Sequence, residues 1–363
     1  MLFLLLGNRA RLLGQYAPPG SGTKRKILEI LGMNRFVREE QLIGTMMRAA
    51  VIDRFGLPEV LHIVELPVPH ASAGEVIVRV HAAGVNAIDW LSRNGQGPGG
   101  ADFPVVLGWD VSGTIAAVGD GVTGLVEGDE VFGMLRFPAL AGGYAEYVAA
   151  PPDQLIIKPD NVDHHSAAGA PMAGITAWQA LFRQAGVEAG QRVLVHGAAG
   201  GVGHVAVQLA KLAGAEVIGT ASARNHDFLT GLGADRVIDY TDQKIRDEVS
   251  DVDVVIEPRG GADFLDLIEV VRPGGVIVTL KGERPEYRDR LAARGVRAGY
   301  VYVSPDREAL SEIARYLRDG TLRIEIDRTF PLVEVATAHA IGEAGHVRGR
   351  IVLDLMMEEE PTT

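Results

Sequence analysis

The segment QRVLVHGAAGGVGHVAVQLAKLAGAEVIGTASAR, residues 191–224, predicts a strand, a glycine-rich turn, a helix and a second strand. The apolar run at residues 193–195 is too short for a helix and stops before glycine, which is typical of a buried parallel strand. After the turn, Val205, Leu209 and Leu212 recur at helical spacing, and residues 217–219 form a second apolar run. This order predicts an α/β domain built on a parallel sheet.

The glycine turn, HGAAGGVG at residues 196–203, predicts a dinucleotide-binding site. A pyrophosphate needs backbone N–H groups and a helix N-terminus with no side chain in the way. Gly200 allows this approach and Gly203 lets the helix pack on the strand, whereas Ala198 stands where the first glycine of G-x-G-x-x-G is usual. The glycines alone would also fit an ordinary turn, but the flanking strands and helix favour the nucleotide site.

The end of the second strand favours NADP(H) over NAD(H). An NAD site usually places Asp or Glu about 20 residues after the glycine turn, to bind the ribose hydroxyls. Residues 220–224 read TASAR, and the first acid is Asp227. Ser222 and Arg224 suit a 2′-phosphate instead, because arginine forms charge-assisted hydrogen bonds with phosphate. The alternative is that Arg224 is a solvated residue at the start of the next helix.

The composition is that of an acidic globular chain without thiols. Its 363 residues suffice for two domains, and 47% hydrophobic with 23% charged residues is ordinary for such a chain. The formal charge of −12 argues against nucleic acid or an anionic membrane as a partner. Cysteine is absent, which excludes disulfides and cysteine-liganded zinc and fits a reducing compartment. We therefore expect a cytoplasmic protein that acts on a small molecule.

Four segments are predicted along the chain. Residues 1–46 are expected to be a poorly ordered extension or the product of an upstream start codon, since MLFLLL is too short for a signal-peptide core. A targeting peptide is the alternative, because no acidic residue precedes Glu29. Residues 47–167 contain short strands and frequent glycines, which predict a mostly β domain. Residues 168–320 alternate strands with helices, which predicts a parallel sheet covered on both faces. Within this part a strand is predicted at residues 276–280 and a helix, capped by Ser304 or Asp306, at residues 307–318. Residues 321–357 return to strand, helix and strand and complete the first domain.

From about residue 47 to residue 355 the chain resembles the medium-chain dehydrogenase/reductase superfamily, in its zinc-independent NADPH:quinone oxidoreductase branch. The motifs stand in the family's order: GEVIVRVHAAGVNAIDW (residues 74–90), FPVVLGWDVSGTIAAVG (103–119), GGYAEYV (142–148), VLVHGAAGGVGHVAVQLAK (193–211), LGADRVIDY (232–240) and VRPGG (271–275). This resemblance implies a Rossmann-type doubly wound parallel sheet domain inserted in a mostly β, GroES-like catalytic domain, an α/β fold overall.

The resemblance also implies the site residues. Asn86 would orient the substrate, a ribose or a water, and Asp89 would hold that network; a turn asparagine and a helix-capping aspartate are the alternatives. Thr176 would face the nicotinamide, unless its hydroxyl bonds its own helix. Tyr240 would lie beside the 2′-phosphate and Arg350 near the cofactor cleft, with a strand-end aromatic and a solvated arginine as the alternatives. The full NADP(H) set is Thr176, Ala198, Ala199, Gly200, Gly201, Val202, Gly203, Ser222, Arg224, Tyr240 and Arg350.

The residues that zinc enzymes of this superfamily use are replaced. Zinc-dependent alcohol dehydrogenases place a cysteine at the position of Asn86 and a His-Glu pair at the positions of Trp109 and Asp110. We therefore expect no metal, with a histidine-only zinc site as the alternative. The chain departs from the quinone reductases at Leu91 and the glycine-rich residues 94–100, where tyrosines are common. Pro258-Arg259 replaces small residues after the fourth strand.

The leading hypothesis is an NADPH-dependent reductase that transfers hydride to a quinone or another conjugated carbonyl. An enoyl-thioester or alkenal reductase would perform the same hydride step at a β-carbon. An NADPH-binding structural or RNA-binding protein, as lens crystallins are, is the alternative of another class, and the acidic charge disfavours RNA. The resemblance further implies a homodimer, formed through the apolar strand predicted at residues 297–303.

Overall fold

The computed structural model describes residue 42 and residues 44–100, 102–261 and 263–357. The chain divides into two units, Met1–Thr45 and Met46–Thr363. The predicted extension at residues 1–46 lies outside the described residues, apart from residue 42 and residues 44–46, and Met46 already belongs to the first strand. None of the helices in the described part has the length and apolar character needed to cross a bilayer.

The first part of the second unit is mostly antiparallel β, as the frequent short strands predict. Its elements are β1 (Met46–Ile52), β2 (Leu61–Pro67), β3 (Val76–Val85), helix α1 (Ala87–Arg93), β4 (Val105–Val106), β5 (Asp110–Val118), β6 (Glu130–Met134), β7 (Tyr147–Ala150) and β8 (Leu155–Ile157). A three-stranded sheet has the order β2-β1-β4, and β3, β5, β6 and β8 are neighbours in a seven-stranded sheet. Because α1 directly follows β3, its N-terminus lies at the end of an interior strand.

The middle of the chain alternates helices and strands. The elements are α2 (His164–Gly169), α3 (Pro171–Trp178), β9 (Arg192–Val195), α4 (Gly203–Leu212), β10 (Glu216–Thr220), α5 (His226–Gly231), β11 (Arg236–Ile238), α6 (Ile245–Glu248), β12 (Val252–Glu257), α7 (Phe264–Val270), β13 (Val271–Thr279), α8 (Arg288–Arg294), β14 (Arg297–Tyr300) and α9 (Arg307–Arg318). The strands form one sheet of order β11-β10-β9-β12-β13-β14. The order reverses between β9 and β12, where such sheets open a crevice for a ligand.

Both faces of this sheet are buried, which explains the continuous apolar run in β9. Val193 and Val195 pack in one core cluster, and Leu194, between them in sequence, packs in another on the opposite face. All ladders in the sheet are parallel. The sheet is therefore doubly wound, and the fold class predicted from the sequence is confirmed.

The end of the chain returns to the seven-stranded sheet. Its elements are β15 (Ile326–Pro331), α10 (Val335–Ala344) and β16 (Arg350–Asp354). β16 pairs antiparallel with β3, so that Ile351 lies opposite Val85. This register brings Arg350, the first residue of β16, next to Asn86, the residue after β3. The four segment boundaries drawn from the sequence stay predictions.

Candidate functional site

The glycine turn between β9 and α4 is held by backbone and hydroxyl groups. Gly197 has a φ of +61°, which favours glycine, and its N–H donates to the Thr220 hydroxyl (3.0 Å). A Cβ on Gly203 would lie 2.5 Å from the Gly197 carbonyl oxygen, which only glycine avoids. Gly197 therefore supplies the tight turn that the sequence pattern assigned to the position of Ala198, and Gly203 lets α4 pack against β9.

The open side of this turn fits a phosphate group. The N–H groups of Ala199, Gly201 and Val202 donate to no other described residue. A Cβ on Gly200 would meet only the Gly197 oxygen, at 3.4 Å, so the space over Gly200 is open. Unpaired N–H groups at the start of a ten-residue helix attract an anion.

Arg350 brings a buried positive charge to the same turn. Its side chain is 5% exposed, and its Nη1 lies 3.1 Å from the place that a Cβ on Gly201 would occupy. Its Nε is buried without a hydrogen-bond partner among the described residues. The backbone is fixed there as well, because the Gly349 N–H donates to the Ala199 carbonyl (2.8 Å). A buried donor without a partner beside free N–H groups fits a pyrophosphate.

Asn86 and Asp110 hold the other end of the Arg350 guanidinium. Arg350 Nη2 donates to Asn86 Oδ1 (2.7 Å) and lies 3.4 Å from Asp110 Oδ2. Asn86 Nδ2 donates to Asp110 Oδ2 (3.0 Å), and Asp110 also accepts from the Met172 N–H (3.0 Å). The three side chains thus form one buried cluster, the Asn86 cluster, where the seven-stranded sheet approaches the glycine turn of the six-stranded sheet.

Asp89 supports this cluster from behind and is 0% exposed. Its Oδ2 accepts from the Asn86 N–H (2.7 Å), as in a capping box, and its Oδ1 accepts from the Gly108 N–H (3.1 Å). Tyr144 also bonds this carboxylate. Asp89 therefore holds Asn86 and the segment before Asp110 in place, and solvent or a substrate does not reach it.

Burial dominates the ionisation of both aspartates. It raises the pKa of Asp89 to about 7, although the Asn86 N–H and the Tyr144 hydroxyl favour the charged form. It raises the pKa of Asp110 to about 6 against the opposing effect of the Arg350 guanidinium. Burial also lowers the pKa of Arg350, and Asp110 counteracts this. The charge of Arg350 and those of the two carboxylates are therefore coupled.

Two histidines that sequence reasoning left unassigned brace the turn. His196 is buried, and its Nδ1 pairs with the Thr220 hydroxyl (2.8 Å) that also accepts from Gly197. His204 Nδ1 donates to the Gly200 carbonyl (2.9 Å), and its Nε2 accepts from the Glu325 N–H (3.3 Å). Burial lowers the pKa of each ring to about 4, so both are neutral. The position of His196 beside the turn was the only sequence signal for either role.

The predicted adenosine end of the crevice lies where β10 and β11 finish. Arg224 is exposed and donates to the His346 carbonyl (2.9 Å), while Ser222 pairs weakly with the Asn225 amide (3.4 Å). Asp239, which the sequence analysis did not single out, lies here too, and its carboxylate accepts from the Ala223 N–H (3.0 Å) and the Thr241 hydroxyl (2.6 Å). Tyr240 is half-buried beside it.

Thr176 lies apart from this end, in α3. Its side chain is mostly buried at 8% exposure, and no described residue bonds its hydroxyl. Helix α3 is fixed by contact with α9, since a Cβ on Gly174 would lie 2.6 Å from Ile313 Cδ1. The Thr176 hydroxyl is thus held rigidly with its hydrogen-bonding capacity free.

The positions that hold zinc in alcohol dehydrogenases carry other chemistry here. Trp109 is 0% exposed and its indole N–H donates to the Ala139 carbonyl (2.7 Å). Asn86 and Asp110 are engaged with each other and with Arg350. Across the described ranges, no group of three or more His, Cys, Asp or Glu side chains is arranged to hold a metal ion.

Comparison with known proteins yields two family models. One, described as an alcohol dehydrogenase GroES-like domain, matches residues 72–160. The other, described as a zinc-binding dehydrogenase, matches residues 232–353. The two lie in the β-rich part and in the nucleotide domain with the returning segment, in agreement with the two sheets.

Curated relatives and solved structures agree with these matches. The chain is 33% identical over 328 residues to the NADPH-dependent alkenal/one oxidoreductase, chloroplastic, of Arabidopsis thaliana, which covers 87% of this chain and 82% of that protein. It is 32% identical over 311 residues to a quinone oxidoreductase of Sus scrofa, covering 81% and 93% respectively. The structure of the quinone oxidoreductase from Coxiella burnetii aligns with a TM-score of 0.80 at 38% identity, over 86% of this chain and 100% of that one.

Fold and site together define a two-domain oxidoreductase with a nicotinamide cofactor, in which a GroES-like domain and a Rossmann-type sheet meet at the Asn86 cluster. The chain belongs to the medium-chain dehydrogenase/reductase superfamily, in its quinone oxidoreductase branch. The family and the enzyme class predicted from the sequence are thereby confirmed.

Proposed function

We propose that this chain is a zinc-independent NADPH:quinone reductase, which also accepts other conjugated carbonyls. The observation that carries the proposal is the Arg350 side chain, which joins the glycine turn to Asn86, while the part of the chain that the structure describes holds no metal-ligand set. The relatives named as a quinone oxidoreductase and as an NADPH-dependent alkenal/one oxidoreductase support the substrate class. The second name also supports alkenal reduction as the second candidate activity.

The chain's own groups have separate tasks in this reaction. The nicotinamide supplies a hydride when it is bound. Asn86 Nδ2 uses one hydrogen on Asp110, so its second hydrogen is available to a substrate oxygen or a water. A donor held in this way stabilises the negative charge that develops on the acceptor oxygen. Asp89, which is fully enclosed, is a positioning residue for Asn86.

The choice of NADPH rests on the adenosine end of the crevice. No acid occupies residues 220–224, and Ser222 and Arg224 present a hydroxyl and a guanidinium there. Asp239, at the end of β11 rather than of β10, already accepts from the Ala223 N–H and the Thr241 hydroxyl. We propose further that β14, the edge strand of the six-stranded sheet, pairs with that of a second copy to form a homodimer, which light scattering at micromolar concentration would test.

The reaction is tested by the oxidation of NADPH and of NADH against a panel of acceptors. The panel contains 1,4-benzoquinone, 9,10-phenanthrenequinone, an alkenal and an enoyl-CoA. We expect turnover with a quinone and NADPH, slower turnover with the alkenal and little with NADH. Turnover with the enoyl-CoA and with no other acceptor would mean that the substrate is an enoyl thioester and not a quinone. No turnover with any acceptor, with NADPH still bound, would favour the binding role kept as the alternative.

The site is tested by Asn86→Ala. Removing an oxyanion donor should lower kcat about 100-fold while the Kd for NADPH changes less than about threefold. The matched control is Asn94→Ala, at the other end of α1, where the amide oxygen accepts from the Gln96 N–H (3.2 Å) and from no other described residue. A folded Asn86→Ala protein with normal turnover would show that Asn86 takes no part in the reaction.

A further inference from the structure

Arg259 crosses the nucleotide crevice from the far half of the sheet. It follows β12, yet its Cδ lies 2.8 Å from the place that a Cβ on Gly197 would occupy, over the turn after β9. Its guanidinium lies over the ring of Tyr240, 4.5 Å from the ring centre. In the sheet order β11-β10-β9-β12, the side chain thus spans from β12 to the end of β11.

The backbone of Arg259 is fixed while its charged end is available. The buried carboxylate of Glu257 accepts from the N–H groups of Arg259 (2.8 Å) and Gly260 (2.8 Å), which holds the loop after β12. The Arg259 side chain is exposed, and its guanidinium forms no hydrogen bond or ion pair with another residue in the described ranges. An arginine stem that is anchored at its base and stacked at its tip loses little freedom when it binds an anion.

The surroundings of Tyr240 indicate which anion the Arg259 guanidinium would bind. Tyr240 follows Asp239, whose carboxylate bonds the N–H of Ala223, the residue after Ser222. The Tyr240 ring lies 6.1 Å, centre to centre, from the His196 ring, whose Nδ1 pairs with the hydroxyl of Thr220, the last residue of β10. The end of β10, where the ribose of a bound dinucleotide lies, is therefore close to the Tyr240 ring. The pyrophosphate position has its own guanidinium, since Arg350 faces Gly201 on the other side of the turn. Asp239 adds a negative charge at the ribose end, so a phosphate there requires a compensating cation.

We propose that Arg259 binds the adenosine 2′-phosphate against the face of Tyr240 and thereby sets the preference for NADPH over NADH. The inference rests on the proposed use of NADPH. It assigns the discrimination to a residue outside the loop after β10, where Ser222 and Arg224 lie. Arg224 already donates to the His346 carbonyl, whereas the Arg259 guanidinium stacks on the Tyr240 ring and forms no hydrogen bond or ion pair within the described ranges.

The test measures binding in the full chain without turnover. Fluorescence titration gives the Kd for NADPH and NADH, and calorimetry gives the Kd for 2′,5′-ADP and 5′-ADP. The variants are Arg259→Ala, Arg259→Lys and Tyr240→Ala. The control is Arg288→Ala, which removes an exposed guanidinium of the same domain, at the first residue of α8. Thermal unfolding checks that each variant is folded.

We expect Arg259→Ala to weaken NADPH and 2′,5′-ADP about tenfold or more and to change NADH and 5′-ADP less than about twofold. Arg259→Lys should recover only part of the loss, because lysine lacks the planar group that stacks on Tyr240. Arg288→Ala should leave all four constants unchanged. Tyr240→Ala should weaken 2′,5′-ADP less than Arg259→Ala does, since it removes the support and keeps the charge.

Three results would overturn the inference in distinguishable ways. Equal weakening of NADPH and NADH would mean that Arg259 binds a part of the cofactor that both share. If the parent chain prefers NADPH and the Arg259→Ala variant keeps the same preference, Arg259 does not set the preference, although the proposed cofactor stands. A parent chain without any preference for NADPH would overturn the inference and the proposed cofactor together.

Discussion

The glycine turn and the Asn86 cluster are built in opposite ways. The turn is made of backbone: it needs small residues at Gly197 and Gly203 and leaves N–H groups unpaired. The cluster is made of side chains, and Asn86, Asp110 and Arg350 bond one another inside the protein. The turn therefore fails when a side chain is added, and the cluster fails when one is removed.

Because of this difference, the turn contributes to binding the phosphate and the cluster contributes to positioning the Asn86 amide. A phosphate held by N–H groups is bound wherever the backbone takes this path, so the turn contributes affinity with little dependence on side-chain identity. The cluster contributes direction, because the Asn86 amide is oriented by a charge pair on one side and by Asp89 on the other. Arg350 is the residue common to both, and its loss should therefore have the largest effect.

Arg350→Met removes the side chain that the turn and the cluster share. It leaves the Asp110 carboxylate buried and Asn86 Oδ1 without its donor, and the loss of one partner of a buried ion pair costs about 3 to 5 kcal/mol. The affinity for NADPH should fall as well. Urea unfolding and a fluorescence titration measure the two effects.

The control for Arg350→Met is Arg348→Met on the same segment, whose ion pair with Glu325 is more exposed (3.3 Å). Arg348→Met should lower the free energy of unfolding by at most about 1 kcal/mol. The double variant Arg350→Met with Asp110→Asn should recover part of the stability, because it removes the uncompensated charge. An Arg350→Met protein as stable as the parent would mean that the ion pair contributes nothing to folding.

Gly203→Ala and Gly200→Ala test the turn from its inside and from its open side. A Cβ on Gly203 meets backbone atoms at 2.5 Å and 2.8 Å, so this change should cost about 3 kcal/mol of stability. A Cβ on Gly200 has only the Gly197 oxygen nearby, at 3.4 Å, so the folded state accommodates it. Gly200→Ala should instead lower the affinity for NADPH about tenfold, because the methyl group enters the phosphate approach.

The pair of glycine variants serves as its own control, since the same atoms are added three residues apart. Thermal unfolding and NADPH titration on both proteins separate stability from affinity. If Gly200→Ala binds NADPH as tightly as the parent does, the phosphate does not approach over Gly200.

The elements that could be predicted from the sequence are those whose structure is determined by neighbouring residues in the chain. The spacing of apolar residues placed β9, α4 and β10, and α9 covers residues 307–318 as predicted, because Asp306 caps it through the Ala309 N–H. By contrast, β13 begins at Val271, five residues before the predicted start at 276, since the sequence RPGG there suggests a turn. The strand predicted at 297–303 ends at Tyr300.

Contacts between segments that are distant in sequence could not be predicted from local sequence patterns. Asn86 and Arg350 are 264 residues apart, and only the pairing of β3 with β16 brings them together. The contact of Arg259 with Tyr240 is likewise non-local, because the side chain reaches from the end of β12 past β9 and β10 to the end of β11. The resemblance named Arg350 as a cofactor residue, but its bond to Asn86 follows from the register alone.

His204→Gln gives the smallest effect and tests the link between the turn and the returning segment through pH. Burial lowers the pKa of His204 to about 4 in the folded chain, against 6.5 for the ring in water. Between these values the unfolded chain binds a proton that the folded chain does not, so stability falls as the pH falls from about 6.5 to about 4 and is unaffected above 6.5. At pH 5 this one ring lowers the free energy of unfolding by about 2 kcal/mol.

Glutamine keeps an acceptor for the Glu325 N–H and does not titrate, so the variant should lose that part of the acid dependence. Urea unfolding at pH 7.5 and pH 5 measures the difference, with His70→Gln, at an exposed loop residue, as the control. The sign of the change in stability with pH distinguishes the histidine from the aspartates of the Asn86 cluster. Raised carboxyl pKa values make stability fall as the pH rises, whereas a lowered histidine pKa makes it fall as the pH falls. An unchanged pH dependence in His204→Gln would mean that the ring is solvated and does not join the turn to Glu325.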